Sequence, residues 1–364
     1  MHQGLSKTGN PMRAQRTGTK PPADLNYSMP AEFADHECCW MAWPCQDDQV
    51  PGLLEVQHRI YADVANAIAA YEPVNMLVDP TGIALAKAHC GPGVNLIPFP
   101  LDDAWLRDNG PTFVIADDGR LGGVAWQFNG WGQKFAFAKD ARAAGFIIEA
   151  AGAECFESPL VLEGGAITVD GEGTLIATEQ CLLNANRSGL GKYETESVLS
   201  DYLGAQKIIW LKRGLSEDAI TDGHVDLVAS FVGPGRVMVL VTHDEDDVNF
   251  ALLRENLSRL KQSTDAAGRR LKIVEVEQAD AADLSLLGKG LKPAGELCRS
   301  YINFYFANKA VIIPGLDGGA FDRKARKVFE QTFPDREIVQ IYAPHLYMRG
   351  GNIHCITQQQ PKTR

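Results

Sequence analysis

A single cysteine stands behind two glycines in Gly350-Gly351-Asn352-Ile353-His354-Cys355, where a loop gives way to a short apolar run. Glycines let a backbone turn tightly and approach a ligand. A thiol held there has a scaffold behind it and space in front, which suits a nucleophile. A free cysteine is also a small hydrophobe that cores readily bury, so it gains meaning only from its company. Four other segments place polar side chains beside turn residues. They are Trp105-Leu106-Arg107-Asp108-Asn109-Gly110-Pro111, Leu162-Glu163-Gly164-Gly165, Asp222-Gly223-His224-Val225-Asp226 and Ser300-Tyr301-Ile302-Asn303-Phe304. A turn, a cap or a surface acid explains any one of them. Together, Cys355, His224, Asp108, Glu163 and Asp226 describe a chemistry. Thiol and imidazole are the pair of a cysteine hydrolase, whereas several carboxylates repel an acyl or anionic substrate and suit a planar cation. A guanidinium offers a fork of donors that matches carboxylates. The set fits a site that clamps a guanidinium and attacks its central carbon.

Residues spread from 108 to 355 meet only if the chain returns repeatedly to one axis. Five short apolar runs recur, beginning at Cys39, Thr112, Thr174, Val237 and Ala310, each bounded by Gly, Pro, Asp or Glu as buried strands are. A helical stretch follows each. Residues 53–71 set Val56, Ile60, Val64, Ile68 and Tyr71 on one face; the others fall near 140–151, 193–203, 249–266 and 321–333. The acidic run 244–247 reads as first-turn acids complementing a helix dipole. The pattern predicts strand–helix–strand units, with a reactive segment ahead of each recurring strand. Pairing of the first strand (39–43) with the last (348–358) closes the ring and removes its exposed edges. The fold class expected is a five-fold pseudosymmetric α/β propeller, with a linear doubly wound sheet as the alternative.

Composition narrows the partners. The 364 residues are 45% hydrophobic and 22% charged, with a formal net charge of -11, which argues against nucleic acid or an anionic membrane as partner. No 18 apolar residues run together to span a membrane. Eight cysteines without a CxxC pair point to a reducing cytoplasm. His36-Glu37-Cys38-Cys39 with Cys45 lacks zinc-site spacing. Gly189-Leu190-Gly191 lacks a third glycine, and neither GxxxxGK[ST] nor GxSxG occurs. No metal and no cofactor are expected. Residues 1–26 read as a disordered arm without a secretory signal, ahead of a single catalytic domain at 27–361. The sequence leaves open a homo-oligomer.

The pieces Trp40-Met41-Ala42-Trp43-Pro44, Trp105-Leu106-Arg107-Asp108, Leu162-Glu163-Gly164-Gly165, Gly223-His224-Val225-Asp226, Ser300-Tyr301-Ile302-Asn303-Phe304 and Gly350 to Gln359 resemble, in order, those of the agmatine deiminases. These belong to the guanidino-modifying pentein superfamily and are similar to bacterial-type peptidyl-arginine deiminases. The resemblance spans residues 27 to 361. It implies that Asp108 and Asp226 clamp the guanidinium, Cys355 attacks it, and His224 protonates the departing ammonia and then activates water. Glu163 would orient His224 and touch a substrate nitrogen, while Trp105, Trp131 and Tyr347 would line the alkyl channel or belong to the core. The implied substrate is a small guanidine, agmatine above all. Arg349 stands where agmatine deiminases carry a third glycine, and Leu316-Asp317-Gly318-Gly319 also departs from their pattern. Arginine deiminases have an Arg-Gly-Gly run whose arginine reads the substrate carboxylate, so arginine, peptidyl-arginine or another carboxylate-bearing guanidine is the rival substrate. Amidinotransferases and non-catalytic binding proteins share the fold.

Overall fold

The computed structural model describes residues 20–46, 52–279 and 298–363. Val237, Met238, Val239 and Leu240 are all fully buried, as continuous apolar runs are when helices and neighbouring sheets cover both faces of a strand. Such strands organise a mixed α/β fold of five sheets among the described residues. Ala229–Gly233 runs antiparallel to Arg236–Val241, the helix Phe250–Gln262 crosses over, and Lys272–Glu277 returns parallel. The same order repeats in Tyr305–Ala307, Ala310–Gly315, helix Ala320–Thr332 and Glu337–Tyr342. It repeats again in Ile167–Val169, Thr174–Thr178, helix Lys192–Leu203 and Lys207–Leu211. Thr112–Ala116, Leu121–Gln127, helix Ala143–Ala150 and Glu154–Val161 form a fourth copy, edged by Tyr27–Ser28.

The remaining sheet is assembled from distant parts of the chain. Thr357–Pro361 lies antiparallel to His36–Ala42, with Trp40 opposite Gln358, and Val74–Val78 and Val94–Pro98 follow in parallel. The expected pairing of first and last strands is therefore present. The helix Leu53–Ala69 covers this sheet and buries Ile60, Val64 and Ile68, the face its spacing required.

Four expectations change. Each unit has a third strand, antiparallel and ahead of the recurring one, where strand–helix–strand was expected. In the second sheet the recurring central strand is Leu121–Gln127, and residues 112–115 belong to the strand before it. Gly122 and Gly123 break its apolar run; a Cβ on either would strike Phe156 or Ile148. The acids at 244–247 are not in a helix's first turn, because the helix starts at Phe250 after Asn249. Asp247 instead binds Arg299 at 2.7 Å and Gln278 at 2.6 Å. Finally, Pro22–Leu25 forms a 3-10 turn against the helix Lys192–Leu203, so ordered structure begins before residue 27. Residues 1–19 of the expected arm lie outside the described residues. No described helix is long and apolar enough to cross a membrane.

The added strand explains how the site is supplied. Asp108 precedes Thr112, Glu163 precedes Ile167, Asp226 precedes Ala229, Asn303 precedes Tyr305 and Cys355 precedes Thr357. Each reactive segment thus enters at the same point of its sheet.

Candidate active site

The Cys355 turn is held by one side chain. Asn303 Oδ1 accepts from the backbone N–H of Asn352 at 3.0 Å and of Cys355 at 3.3 Å, while its Nδ2 donates to Cys355 Sγ at 3.1 Å. Arg107 N–H donates to the Cys355 carbonyl at 3.1 Å, tying the Asp108 segment to the thiol segment. The thiol itself points at Asp226 Oδ2, 3.5 Å away.

His224 is delivered by a loop built around buried Asp218, whose Oδ2 accepts from the N–H groups of Gly223 (3.1 Å) and His224 (3.0 Å). The imidazole is fully buried, and among the described residues neither ring nitrogen has a hydrogen-bond partner. Nδ1 lies 3.8 Å from Asp108 Oδ1, and Nε2 lies 3.8 Å from Glu163 Oε2. Asp108 Oδ1 accepts from Gly165 N–H at 3.0 Å and Oδ2 from Trp131 Nε1 at 2.8 Å. All of this crowds on Gly165. A Cβ there would stand 2.5 Å from His224 Nδ1 and 2.9 Å from both Asp108 Oδ1 and Asp226 Oδ2. His224, Asp108 and Asp226 therefore surround one point, and Cys355 touches the third of them. Glu163 is positioned from behind by Arg187, whose Nε is 2.8 Å from Oε1, with both side chains fully buried.

Trp131 reaches Asp108 from an unusual turn. Gly130, Trp131, Gly132 and Gln133 all have positive φ, forming a left-handed turn that costs non-glycine residues about 1–2 kcal/mol each. Trp105 and Trp131 both line a cavity of about 390 Å³ together with Asp108, Phe135 and Cys355. Tyr347 does not line it; its hydroxyl donates to the Ser300 carbonyl in the core. Arg349 does line the cavity, but it is neither a solvated side chain nor an open cation. Its guanidinium forks onto Asp103 at 3.2 and 2.8 Å and also binds Gln46 at 2.6 Å.

Charge follows from this packing. Burial pushes the Asp108 carboxyl up to about 6, with His224 opposing and Asp226 adding to it. Burial, then Asp226 and Asp108, raise the Cys355 thiol well above its ordinary range. Burial alone would depress His224, yet Asp108, Cys181 and Glu163 around it carry its pKa well above normal. Burial would raise Glu163, but His224 and Arg187 hold it down. Without ligand the site thus favours a neutral thiol beside an imidazolium, and a cation placed among the acids reverses the preference for the thiol. Among the described residues, Glu163, Cys181 and His224 also bring one potential metal-ligand atom each within 4.8 Å of one another; Arg187 already occupies that carboxylate.

Asn303, Arg187, Asp218 and Cys181 were missed from sequence. Only Asn303 had a signal, because it occupies the same phase as Asp108, Glu163, Asp226 and Cys355. Arg187 and Asp218 lie in loops without periodicity.

A family model described as Porphyromonas-type peptidyl-arginine deiminase matches residues 28–361. The agmatine deiminase of Pseudomonas aeruginosa (strain LESB58) is 39% identical over 364 aligned residues, covering 95% of this chain and 98% of that protein. That of Stutzerimonas stutzeri (strain A1501) is likewise 39% identical, over 95% of this chain and 98% of its own length. The structure of an Enterococcus faecalis agmatine deiminase, described as catalysing its reaction, superposes with a TM-score of 0.89 at 35% identity, covering 96% of this chain and all of that one. The chain belongs to the Porphyromonas-type peptidyl-arginine deiminase family.

Proposed function

We propose that this protein is a cysteine-dependent deiminase that hydrolyses agmatine to N-carbamoylputrescine and ammonia. The observation that carries the reading is the buried imidazole of His224 packed around one point with oxygens of Asp108 and Asp226, the second of which lies 3.5 Å from the Cys355 thiol. An unsatisfied buried acceptor is costly, and a guanidinium supplies a donor to the open Asp226 Oδ1 while its charge is matched by the neighbouring acids. The names of the Pseudomonas, Stutzerimonas and Enterococcus relatives support agmatine as its bearer. The fork of Arg349 onto Asp103 supports a tail without a carboxylate, since that guanidinium already has one.

In this mechanism Asp108 and Asp226 grip the guanidinium nitrogens, and the bound positive charge favours the Cys355 thiolate. The sulfur attacks the guanidinium carbon, and the His224 imidazolium gives its proton to a nitrogen that departs as ammonia. A covalent thiouronium remains on Cys355. His224, now neutral, takes a proton from water as its oxygen bonds to the same carbon. Collapse breaks the C–S bond, releases the carbamoyl amine, and leaves water's two protons on His224 and the thiol. Glu163, anchored by Arg187, fixes the imidazole's orientation.

The five sheets support reading the fold as a five-fold α/β propeller of the pentein type, one domain over residues 27–361. Each has a reactive segment at the same edge, and Thr357–Pro361 pairs back onto His36–Ala42. Eight unpaired cysteines support a cytoplasmic setting. Ammonia release should be measured with agmatine, arginine, guanidinobutyrate and a peptidyl-arginine, with mass spectrometry of trapped Cys355. Agmatine should lead and leave an amidino adduct on that residue. Full turnover by Cys355→Ala, or a hundredfold preference for an acid-bearing guanidine, would overturn the assignment.

A further inference from the structure

Behind the site lies a row of charges of which the steps above use only Asp226. The buried His354 ring stands between two carboxylates, with Nδ1 2.8 Å from Asp226 Oδ2 and Nε2 2.8 Å from Glu32 Oε2. Ionised carboxylate oxygens only accept, so an imidazole holding both carries a proton on each nitrogen. Arg107 extends the row. Its NH1 is 3.4 Å from Glu32 Oε1, and its Nε donates to the His354 carbonyl at 3.2 Å. At the other end Asp226 Oδ1 is buried and has no hydrogen-bond partner among the described residues.

We infer that His354 is a positioning residue, an imidazolium that pins Asp226 by Oδ2 and so fixes the carboxylate that grips the guanidinium. The inference rests on the deiminase reading, in which Asp226 clamps substrate. Neither His354 nor Asp226 is among the residues lining the cavity; His354 bears on the thiol through Asp226 Oδ2, which lies 3.5 Å from Cys355 Sγ. The charged groups around it are Glu32 from the segment before the first sheet, Arg107 from the turn 106–109, Asp226 and the adjoining Cys355, with Asp108 and His224 beyond. Burial and Arg107 press the imidazole's pKa down, and Glu32 and Asp226 lift it above its ordinary value. Burial would raise Glu32, but His354 and Arg107 bring it down to about 2. The two shifts describe one buried ion pair, which continues to the clamp. Metal-bound histidines are oriented by carboxylates in the same manner; here an imidazolium orients the carboxylate.

Two substitutions separate positioning from scaffolding. Asparagine keeps an amide donor near the place of Nδ1, facing Asp226, whereas glutamine keeps one near Nε2, facing Glu32. His354→Asn should retain kcat/KM for agmatine within about tenfold, and His354→Gln should lose about 100-fold, the effect of about 1 Å of misplacement. Equal losses, or a better glutamine variant, would show that holding Asp226 is not the role. A second measurement needs no variant. In protein labelled with nitrogen-15 histidine, both His354 ring nitrogens should carry protons in mildly alkaline buffer; one bare nitrogen overturns the inference. Ammonia release by the wild type decides the deiminase reading separately. Should the wild type release none, agmatine affinity measured by calorimetry carries the same asparagine–glutamine comparison.

Discussion

Gly165→Ala tests whether the reactive groups are packed around one point. The Gly165 φ is not left-handed, so alanine meets no backbone penalty and the added methyl acts by contact alone. It would stand 2.5 Å from His224 Nδ1 and 2.9 Å from an oxygen of each of Asp108 and Asp226. Ordinary contact begins near 3.4 Å, so the imidazole must retreat by roughly 0.9 Å and each carboxylate by roughly 0.5 Å. None of these side chains can swing into solvent, because all are buried. Displacement of about 1 Å at reacting groups costs on the order of 100-fold in rate, about 2.7 kcal/mol at 1.36 kcal/mol per tenfold. Overpacking costs stability about 1–3 kcal/mol, which shifts the Tm of a chain this long by a few degrees. The assay is steady-state ammonia release from agmatine, with thermal unfolding of both proteins alongside. The expected result is a fall of kcat/KM by about 100-fold or more in a protein still folded at the assay temperature. A variant within threefold of wild type would refute the crowding, and with it the claim that imidazole and both acids face one reacting carbon.

Three further outcomes are expected. Arg187→Met leaves Glu163 as a buried, unpaired carboxylate, a loss of about 3–5 kcal/mol; adding Glu163→Gln should restore the unfolding temperature but not turnover, and restored turnover would deny Glu163 its role. Asp108, raised to about 6 by burial with His224 opposing, grips a cation only when ionised, so kcat/KM should climb with pH through about 6, whereas a flat profile across that range contradicts the clamp. Because its folded pKa exceeds the unfolded value of about 4, the same carboxyl stabilises the fold at lower pH and loses that contribution as pH rises through about 6; urea unfolding across this range, in wild type against Asp108→Asn, reads the difference. Arg349→Ala uncovers the Asp103 carboxylate at the cavity wall, so KM for agmatine should fall while turnover of arginine does not improve; selective loss of arginine turnover would instead make Arg349 a carboxylate reader.

The periodic apolar runs made the sheets legible, since a strand buried on both faces leaves an uninterrupted hydrophobic word. Where Gly122 and Gly123 let Phe156 and Ile148 pack onto the backbone, that word broke and the phase slipped by one strand. The reactive residues were legible because each sits beside a turn at a matching place. Their supports were not. Glu32, Arg187 and Asp218 come from irregular segments whose only signature is a charge that must find a partner once buried, and burial is a tertiary property. His354 lay in plain view beside Cys355, yet its partners are 128 and 322 positions away, beyond the reach of spacing rules. Arg349 shows the same limit. Its Arg-Gly-Gly run suggested a reader of the substrate carboxylate, and only the fold reveals Asp103 in its fork.

The strand Thr357–Pro361, which begins two residues after the sulfur, pairs among the described residues with His36–Ala42 alone, and Trp40 reaches across 320 positions to Gln360. A polypeptide still on the ribosome therefore carries the acids and the imidazole before Cys355 and this strand have been made. Translation that stalls short of that strand, or a protease nick that frees it, yields no half-working fragment able to scavenge guanidines, because the nucleophile arrives together with the last seam. Competence is all-or-none in assembly, and loss of turnover on unfolding should coincide with separation of that seam rather than precede it.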